Sequence, residues 1–583
     1  MKNKNGKLSL VDQKRHTLAH VLAMAVLSKY PDARLGIGPT IENGFYYDFD
    51  VGKPFKEEEL AEFEDAMRDI VAHKLDITGK KITLADAKKL FKDQPFKIEL
   101  AEEYAREDKE LTTYMTGDFT DLCRGGHIAN MREIDPKSFQ LTRIAGAYWR
   151  GSEKNPQLQR IYGIAFDTKK ELADHLAMLE EAKKRDHRVL GERLKLFTFA
   201  PEIGPGLPLW LPNGTIIREE IEKYAKKIED EQGYKRIITP HIAKEELFRM
   251  SGHIPYYAEN MYPPMELDDG NYYLKAMNCP MTHMIYKSEP HSYRELPIRY
   301  AEYGTVYRYE LSGTLAGLLR TRGFTQNDAH IYCREDQVEE EFLNVMKLHE
   351  FWYKEVFDIT DFYMRLSLPV EDKTKYAGAP EGWQKAVTLV RNAMRRSGLP
   401  YKEVEGEAAF YGPKVDFQIK SVIGREETAS TNQLDFLAAE RFGLIYKDSD
   451  GKEKPAYVIH RAPLGSHERF IAFLIEHFGG AFPFWLAPVQ VRVLTINEKI
   501  VEYTQNVVTR LKKQNIRAEL DQRNESINKK IREAELQKIP YIFVIGDKEA
   551  AAGTVNIRTR GEKETKTISL EEFLIQIEKE SAR

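Results

Sequence analysis

The sequence predicts a multidomain α+β protein, and three observations lead to this fold class. The chain of 583 residues is long enough for about three to five domains, each with its own core. Between residues 191 and 488, short apolar strands follow one another without regular helix alternation, which is typical of an antiparallel sheet. From residue 489 onward, strands and helices alternate, which indicates a smaller α/β module.

The composition favours a soluble enzyme. Hydrophobic residues make up 42% and charged residues 31% of the chain, and the net charge of -4 excludes a polycation. The three cysteines are too few for a disulfide framework, so we expect a reducing, cytoplasmic location. No apolar run reaches the roughly 18 residues of a membrane span.

The N-terminal region, residues 1–166, is expected to be a mixed α/β domain. Residues 17–27 predict an amphipathic helix, since His20 interrupts the run and argues against a signal peptide. A strand at 44–51 and charged helices at 56–74 and 84–91 follow.

A polar helical linker is predicted over residues 167–190, because charged residues surround a sparse row of leucines. A loop-rich stretch, 201–212, leads into the central domain, 191–488. Its expected elements are a helix at 216–232 and strands at 235–238, 272–277, 299–309, 330–333, 414–419 and 456–460.

The C-terminal module, 489–583, is expected to contain strands at 489–496, 516–521, 540–546 and 554–560, with helices at 499–514, 526–538 and 570–580. Ser569 and Glu572 predict a capping box at the last helix. The module carries 18 basic and 15 acidic residues, and this mild excess does not by itself establish RNA binding.

Three separated segments, 277–280, 307–333 and 459–469, make sense as one site. Each contains one good zinc ligand: Cys279, His330 and His460. A metal with three protein ligands keeps a position open for a substrate. Two segments add arginines suited to a polyphosphate such as ATP: Arg308, Arg320 and Arg469. No P-loop or G-x-G-x-x-G fingerprint is present, so ATP would require another architecture.

These segments resemble the threonyl-tRNA synthetases, a class II aminoacyl-tRNA synthetase family. Pro240 matches motif 1, YRYE with Arg308 and Glu310 matches motif 2, and GSHER with Arg469 matches motif 3. The resemblance implies an α/β editing domain, an antiparallel catalytic domain and an α/β anticodon-binding domain. It also implies a homodimer that joins threonine to tRNA(Thr), using ATP with Mg²⁺.

The same resemblance assigns roles to the charged residues. Arg308 should hold the α-phosphate of ATP, Arg469 its γ-phosphate, and Arg320 the polyphosphate. Glu310 can accept a hydrogen bond from the adenine amino group, while Phe324 offers its ring for stacking.

A zinc ion, one per subunit, would explain the choice of threonine over the nearly isosteric valine, because only threonine has a hydroxyl to coordinate. Asp328 lies two residues before His330, hence on the same strand face, and can accept a hydrogen bond from the hydroxyl. The resemblance adds Met277, Gln326, Tyr411 and Gln433 to the amino-acid pocket. Thr282 stands where many relatives have a histidine.

A second cluster lies near the N-terminus. His16 and His20 share a helix face, and Cys123 and His127 are also four residues apart. From these residues alone, a zinc site remains one of two alternatives. The resemblance instead implies an editing site that hydrolyses seryl-tRNA without a required metal, to which Lys97 and Asp121 also belong.

In the C-terminal module, the resemblance places Asn524, Glu549 and Arg558 at positions that read anticodon bases. It also leads us to expect a form without the small ubiquitin-like domain that precedes the editing domain in many relatives.

Three rival functions are weighed. A synthetase for another amino acid is disfavoured by the Cys–His–His set with Asp328. A non-catalytic RNA-binding relative would have no use for Arg308 and Arg469. A metallohydrolase would need the glutamate of H-E-x-x-H, where Thr17 stands instead.

Overall fold

The computed structural model describes residues 8–370, 376–420 and 426–581, and the chain divides into two compact units, Met1–Glu180 and Glu181–Arg583. The ends of the expected editing and anticodon-binding domains, 1–7 and 582–583, lie outside the described residues. Within the described ranges, no helix combines the length and apolar character that a membrane crossing requires.

The N-terminal unit packs helices on an antiparallel sheet of order β1–β3–β8–β7, with β2 on β3, beside a small sheet of order β4–β5–β6. Its helices are α1 Leu10–Lys29, α2 Glu59–Ala72, α3 Leu84–Leu90 and α4 Pro95–Arg106. Its strands are β1 Arg34–Leu35, β2 Thr40–Ile41, β3 Gly44–Asp50, β4 Ile77–Lys81, β5 Thr112–Thr116, β6 Phe119–Leu122, β7 Phe139–Tyr148 and β8 Gln157–Ala165.

Helix α1 differs from its prediction. The expected helix at 17–27 exists but is longer, and it is not amphipathic, because its central residues are buried on nearly all sides between α2 and β3. Ser9 caps it by accepting the Asp12 N–H at 3.2 Å. His16 and His20 therefore lie on a helix that is held in place by packing on most of its sides.

The predicted linker helix is interrupted. It forms two helices, α5 Lys169–Arg185 and α6 His187–Arg193, because Asp186 adopts a non-helical conformation and accepts the Arg188 N–H at 2.8 Å. The expectation of one helix over the linker, 167–190, was therefore wrong.

The central sheet runs in the order β11–β15–β16–β23–β20–β19–β17–β18. Its helices are α7 Pro212–Glu231, α8 Glu245–Met250, α9 His253–Tyr256, α10 Cys279–Lys287, α11 Val338–Glu350, α12 Pro380–Ser397, α13 Ala438–Phe442 and α14 His467–Phe478. Its strands and the smaller neighbouring ones are β9 Phe197–Thr198, β10 Leu209–Trp210, β11 Lys235–Arg236, β12 Ile242–Lys244, β13 Met265–Leu267, β14 Gly270–Leu274, β15 Ile298–Tyr307, β16 Gly323–Cys333, β17 Phe362–Leu368, β18 Tyr401–Glu405, β19 Lys414–Lys420, β20 Glu426–Asp435, β21 Ile445–Lys447, β22 Glu453–Pro455 and β23 Tyr457–Ala462.

The antiparallel expectation holds for the interior of this sheet, whereas the outer pairings β11/β15 and β17/β18 are parallel. Helices α7, α11, α12 and α14 supply apolar residues to the core beneath it. Strand β16 begins seven residues before its predicted start at His330. Only its end, Ala329–Cys333, pairs with β23. Earlier along the same edge, Gln326 forms a bridge with Ser466, and the Asn327 N–H donates to the Gly465 oxygen at 3.0 Å.

The C-terminal module has helices α15 Val501–Lys513, α16 Ile527–Leu536, α17 Asp547–Ala552 and α18 Leu570–Ser581, and strands β24 Val491–Thr495, β25 Ala518–Asp521, β26 Tyr541–Ile545, β27 Thr554–Thr559 and β28 Thr565–Ser569. The sheet order is β25–β24–β26–β27–β28, parallel in its first three strands and antiparallel beyond. Helix α17 and strand β28 were not predicted. The Ser569–Glu572 capping box is present.

Candidate active site and editing cluster

The three predicted zinc ligands lie together on the central sheet. His330 on β16 is directly opposite His460 on β23, and Cys279 is the first residue of α10. One potential ligand atom from each residue lies within 4.8 Å of the others, and all three residues are buried. The donor set and its spacing fit a zinc ion with three protein ligands and an open fourth position. Burial raises the pKa of the Cys279 thiol well above its ordinary value, so a bound cation would be needed to favour the thiolate.

A carboxylate that the sequence did not reveal orients His460. The Nε2 atom of His460 lies 3.3 Å from one oxygen of Asp435, and the other oxygen accepts the N–H groups of Leu437 and Ala438 at 2.8 Å each. Burial raises the pKa of the Asp435 carboxyl, but the interactions with His460 outweigh this effect, and the pKa lies below its ordinary value. Asp435 lies two residues after Gln433 on β20, and this spacing was the sequence feature that could have placed it on the same strand face as the predicted pocket residue.

The amino-acid pocket adjoins this metal set. A cavity of about 350 Å³ is lined by every residue predicted for the metal and the threonine: Met277, Cys279, Gln326, Asp328, His330, Tyr411, Gln433 and His460. Asn278, which was not predicted, donates from Nδ2 to Asp328 at 2.9 Å. The Tyr411 hydroxyl donates to the side-chain oxygen of Gln433. Burial raises the pKa of the Asp328 carboxyl, and the hydrogen bond from Asn278 opposes this increase.

A second cavity, of about 290 Å³, shares Arg308, Gln326 and Gln433 with the first. It is lined by all the residues predicted for ATP: Arg308, Glu310, Arg320, Phe324 and Arg469. Because the cavities share these lining residues, a nucleotide in one and an amino acid in the other would meet near Arg308.

The charges in this cavity suit a polyanion. Burial lowers the pKa of Arg469, and the neighbouring guanidinium groups of Arg308 and Arg320 lower it further. The Arg308 guanidinium carbon lies 5.0 Å from the centre of the Phe324 ring. Arg320 pairs with Glu310 at 2.8 Å. Both Arg320 contacts, from Nη2 and from Nε at 2.9 Å, go to Oε2 of Glu310, so its Oε1 can accept a hydrogen bond from adenine.

The editing residues also come together. One potential ligand atom from each of His16, His20, Cys123 and His127 lies within 4.8 Å of the others. The Cys123 sulfur is 3.4 Å from Nε2 of His16 and 3.2 Å from Nε2 of His127. Burial raises the pKa of Cys123 to about 12 and lowers the pKa values of all three histidines, so the neutral forms are favoured.

Lys97 and Asp121 form a buried polar network at the edge of this cluster. Lys97 Nζ lies 2.5 Å from one carboxylate oxygen of Asp121, and the other oxygen lies 3.6 Å from Nε2 of His20. Tyr47, which the sequence analysis missed, donates its hydroxyl proton to Asp121 at 2.5 Å and accepts from Lys97 at 2.9 Å. Nothing in the GFYYDFDV segment separates this buried tyrosine from an ordinary core aromatic.

The anticodon candidates are more dispersed. Asn524 follows β25, and Glu549 lies in the first turn of α17 after β26, so both occupy the carboxyl edge of parallel strands. Glu549 also caps α17 by accepting the Gly546 N–H at 2.8 Å. Arg558 lies on β27 opposite Ile542, with its guanidinium 3.6 Å from Glu535. Among the described residues, no hydrogen bond or ion pair connects the three candidates.

Comparison with known families agrees with this geometry. Residues 262–478 match the tRNA synthetase class II core domain (G, H, P, S and T), and residues 490–580 match an anticodon binding domain. Residues 111–162 match the threonyl and alanyl tRNA synthetase second additional domain. Fold and site therefore define a class II aminoacyl-tRNA synthetase.

Comparison with individual relatives identifies the family within this class. A threonine–tRNA ligase of Deinococcus radiodurans is 48% identical over 573 residues, covering 97% of this chain and 88% of the relative. One of Geobacillus kaustophilus is 49% identical over 568 residues, covering 97% and 86%. A solved threonyl-tRNA synthetase RNA-binding domain of Cryptosporidium parvum matches with a TM-score of 0.65 at 36% identity, covering 68% of this chain and 99% of that one.

The chain belongs to the threonine–tRNA ligase family, whose members join threonine to tRNA(Thr) in an ATP-dependent, AMP-forming reaction. The second additional domain supports hydrolytic editing of mischarged seryl-tRNA(Thr). The predicted family, fold class and activity are confirmed.

Proposed function

We propose that the enzyme selects threonine at a zinc ion, one per subunit, held by Cys279, His330 and His460, and activates it with ATP and Mg²⁺ in the adjoining cavity. The observation that carries this proposal is the convergence of three buried donor atoms within 4.8 Å of one another in the cavity that Asp328 lines. A zinc ion held there would offer an open coordination position to the amino and hydroxyl groups of threonine.

Asp328 supplies the second element of selectivity. Its carboxylate accepts a hydrogen bond from the threonine hydroxyl, while Asn278 donates to the carboxylate at 2.9 Å and holds it in place. With valine, the half-buried carboxylate would lose this partner, and a fully buried polar group left unpaired costs about 1–3 kcal/mol. A site built to bind the hydroxyl therefore rejects valine better than shape alone can.

The arginines act on the nucleotide. A carboxylate oxygen of threonine attacks the α-phosphorus of ATP, and pyrophosphate leaves as the threonyl-adenylate forms. Arg308 stabilises the α-phosphate, while Arg320 and Arg469 stabilise the departing pyrophosphate. Phe324 stacks on the adenine and Glu310 accepts from its amino group. The ribose hydroxyl at the end of tRNA(Thr) then takes the threonyl group and AMP leaves.

We assign the N-terminal cluster to editing, without a required metal. Serine keeps the hydroxyl and loses only a methyl group, so the synthetic site discriminates against it by roughly 1–3 kcal/mol and a second site is needed. Neutral His16, His20 and His127 can accept a proton from the water that attacks the seryl ester. The bond to the ribose oxygen then breaks, serine leaves, and the proton passes to that oxygen of the tRNA. Replacing His20 and Cys123 together should let seryl-tRNA(Thr) accumulate, whereas unchanged serine clearance would refute the assignment.

Further assignments belong to the same proposal. The domains span 1–166 for editing, 167–190 for the linker, 191–488 for catalysis and 489–583 for anticodon binding. Asn524, Glu549 and Arg558 read the anticodon, the enzyme forms a homodimer through motif 1 around Pro240, and it works in the cytoplasm. Support for the dimer comes from Ile238, whose exposed fraction is 94% although it is apolar.

The proposal is tested by amino-acid-dependent exchange of pyrophosphate into ATP. We expect exchange with threonine, weak exchange with serine and almost none with valine, and a zinc chelator should abolish the threonine signal. Zinc content of the purified protein provides a readout independent of activity. Full exchange by metal-free enzyme would overturn the zinc assignment.

A further inference from the structure

His187 connects three parts of the catalytic unit through one buried ring. It is the first residue of α6 and is only 3% exposed. Its Nδ1 lies 2.8 Å from a carboxylate oxygen of Glu476, and its Nε2 lies 3.1 Å from the backbone nitrogen of Leu318. Since the Leu318 N–H must donate, Nε2 is the acceptor, and the ring proton sits on Nδ1 and is donated to Glu476. The neutral ring satisfies both neighbours.

The two partners of His187 lie on the helix and the turn that carry Arg469 and Arg320, which line the cavity proposed for ATP. Glu476 lies in the last turns of α14, the helix whose first turn carries Arg469. Leu318 lies in a turn, residues 316–320, which ends at Arg320. Two backbone bonds close the turn, from the N–H of residue 319 to the oxygen of 316 at 2.9 Å and from the N–H of 316 to the oxygen of 320 at 3.2 Å.

The same turn holds Arg469 directly. The backbone oxygen of Leu319 accepts from Nε of Arg469 at 3.2 Å. The position of Leu318, fixed by His187, therefore determines where the next carbonyl group meets Arg469.

The turn is shaped around the imidazole. Gly317 has a φ of +53°, and a Cβ atom there would lie 2.3 Å from Nε2 of His187. Only bare backbone can approach the ring so closely.

We propose that His187 is a positioning residue for ATP binding, acting through Leu318 on the guanidinium groups of Arg320 and Arg469. This inference rests on the proposed roles of those two arginines. A purely structural role is the alternative, because the Leu318 side chain is itself 1% exposed and could anchor the turn without the hydrogen bond.

Two matched substitutions separate these roles. Glutamine places an amide oxygen near the position of Nε2, so His187→Gln can still accept the Leu318 N–H. Asparagine reaches only the position of Nδ1, so His187→Asn keeps the bond to Glu476 and loses the bond to the turn. The Michaelis constants for ATP and threonine are measured by pyrophosphate exchange on the full-length enzyme.

We expect His187→Asn to raise KM for ATP about threefold to tenfold, the value of one hydrogen bond, with KM for threonine unchanged. His187→Gln should stay near the parent enzyme. Equal KM values for ATP in the two variants would overturn the proposal. If His187→Asn does not fold, Gly317→Ala displaces the ring from the other side and should raise KM for ATP in the same way, and an unchanged KM would count against the proposal.

Arg469→Ala distinguishes failure of this inference from failure of the proposed function. If Arg469→Ala raises KM for ATP while His187→Asn does not, only the positioning role is wrong. If Arg469→Ala leaves KM for ATP unchanged, the assignment of the arginines to ATP is wrong. The positioning role of His187 is then wrong as well, because it depends on that assignment.

Discussion

In the proposed function, Asp328 is a half-buried carboxylate that separates two amino acids of nearly equal shape. It lies in the same cavity as His330 and Cys279, and burial raises its pKa while Asn278 opposes the shift. A charged acceptor that has lost its water gains more from a substrate hydroxyl than it would at the surface. Selectivity at this position depends on the hydrogen bond and not on pocket volume.

Replacing Asp328 by asparagine should test this argument. The volume stays the same and the charge is lost, so kcat/KM for threonine should fall about 10- to 150-fold, the range of a hydrogen bond to a charged group. Activity with valine should change little, because valine has no hydroxyl to lose. Pyrophosphate exchange with both amino acids measures the ratio, and an unchanged ratio would contradict the role of Asp328.

Asp435 acts one step further from the substrate. Its carboxylate accepts from His460 Nε2, which leaves Nδ1 as the unprotonated nitrogen. In Asp435→Asn, the amide oxygen can keep the two backbone N–H groups, and its NH₂ then faces His460 and favours the opposite tautomer.

We therefore expect Asp435→Asn to weaken zinc binding about 10- to 100-fold. Competition with a chromophoric chelator on the purified protein measures this affinity without relying on activity. Glu341→Gln is the matched control, because it breaks a similarly buried pair, with Arg299 at 2.6 Å. Equal affinities in the two variants would show that any buried carboxylate has the same effect.

At the scale of elements, only part of the strand β16 could be predicted from the sequence. The apolar end at His330 was predicted, and Asp328 was placed on the same strand face. The start at Gly323 was missed, because polar residues such as Gln326 interrupt the apolar pattern although they line a cavity inside the fold. The motifs were found because their residues are adjacent in sequence. Residues whose partners are distant in sequence, such as Asp435 and His187, depend on the register of strands and the packing of helices, and no local pattern encodes these.

The burial of helix α1 was also missed, and it leads to a prediction about the pH dependence of stability. Its apolar run was read as amphipathic, yet the helix is enclosed, and burial lowers the pKa values of His16 and His20. In the unfolded chain these histidines titrate near 6.5, so below that pH the unfolded state binds more protons than the folded one. Stability of the N-terminal unit is therefore complete above about pH 6.5 and falls on acidification, by up to about 1.4 kcal/mol per pH unit for each histidine.

Hydrogen exchange of the full-length protein, followed by mass spectrometry and corrected for intrinsic rates, measures this effect. Peptides from α1 should lose protection between pH 7 and pH 5. His20→Gln removes one titrating group and should make the dependence shallower. Protection that stays constant over this range, or an identical slope in the variant, would show that these histidines do not control the stability of the unit.

At the scale of the whole molecule, synthesis and editing use separate sites with opposite demands. As proposed, the synthetic site binds the hydroxyl that threonine and serine share, so it would not reject serine strongly, and the cluster proposed for editing lies in the other compact unit. Substitutions in the cluster should therefore change the fate of serine and leave threonine activation unaffected, as independent sites usually behave.

The homodimer is the last expectation at this scale. Ile238 is 94% exposed and lies beside Pro240 of motif 1. Burying an isoleucine side chain contributes about 1.5–3 kcal/mol, and a two-fold interface buries one such side chain from each subunit. Ile238→Glu should place two like charges in that interface, shift the mass measured by light scattering from dimer to monomer, and reduce exchange activity with it. Ile575→Glu, at a site that is 71% exposed on α18, is the matched control and should remain dimeric. If Ile238→Glu also remains dimeric and active, the interface lies elsewhere on the protein and motif 1 is not its centre.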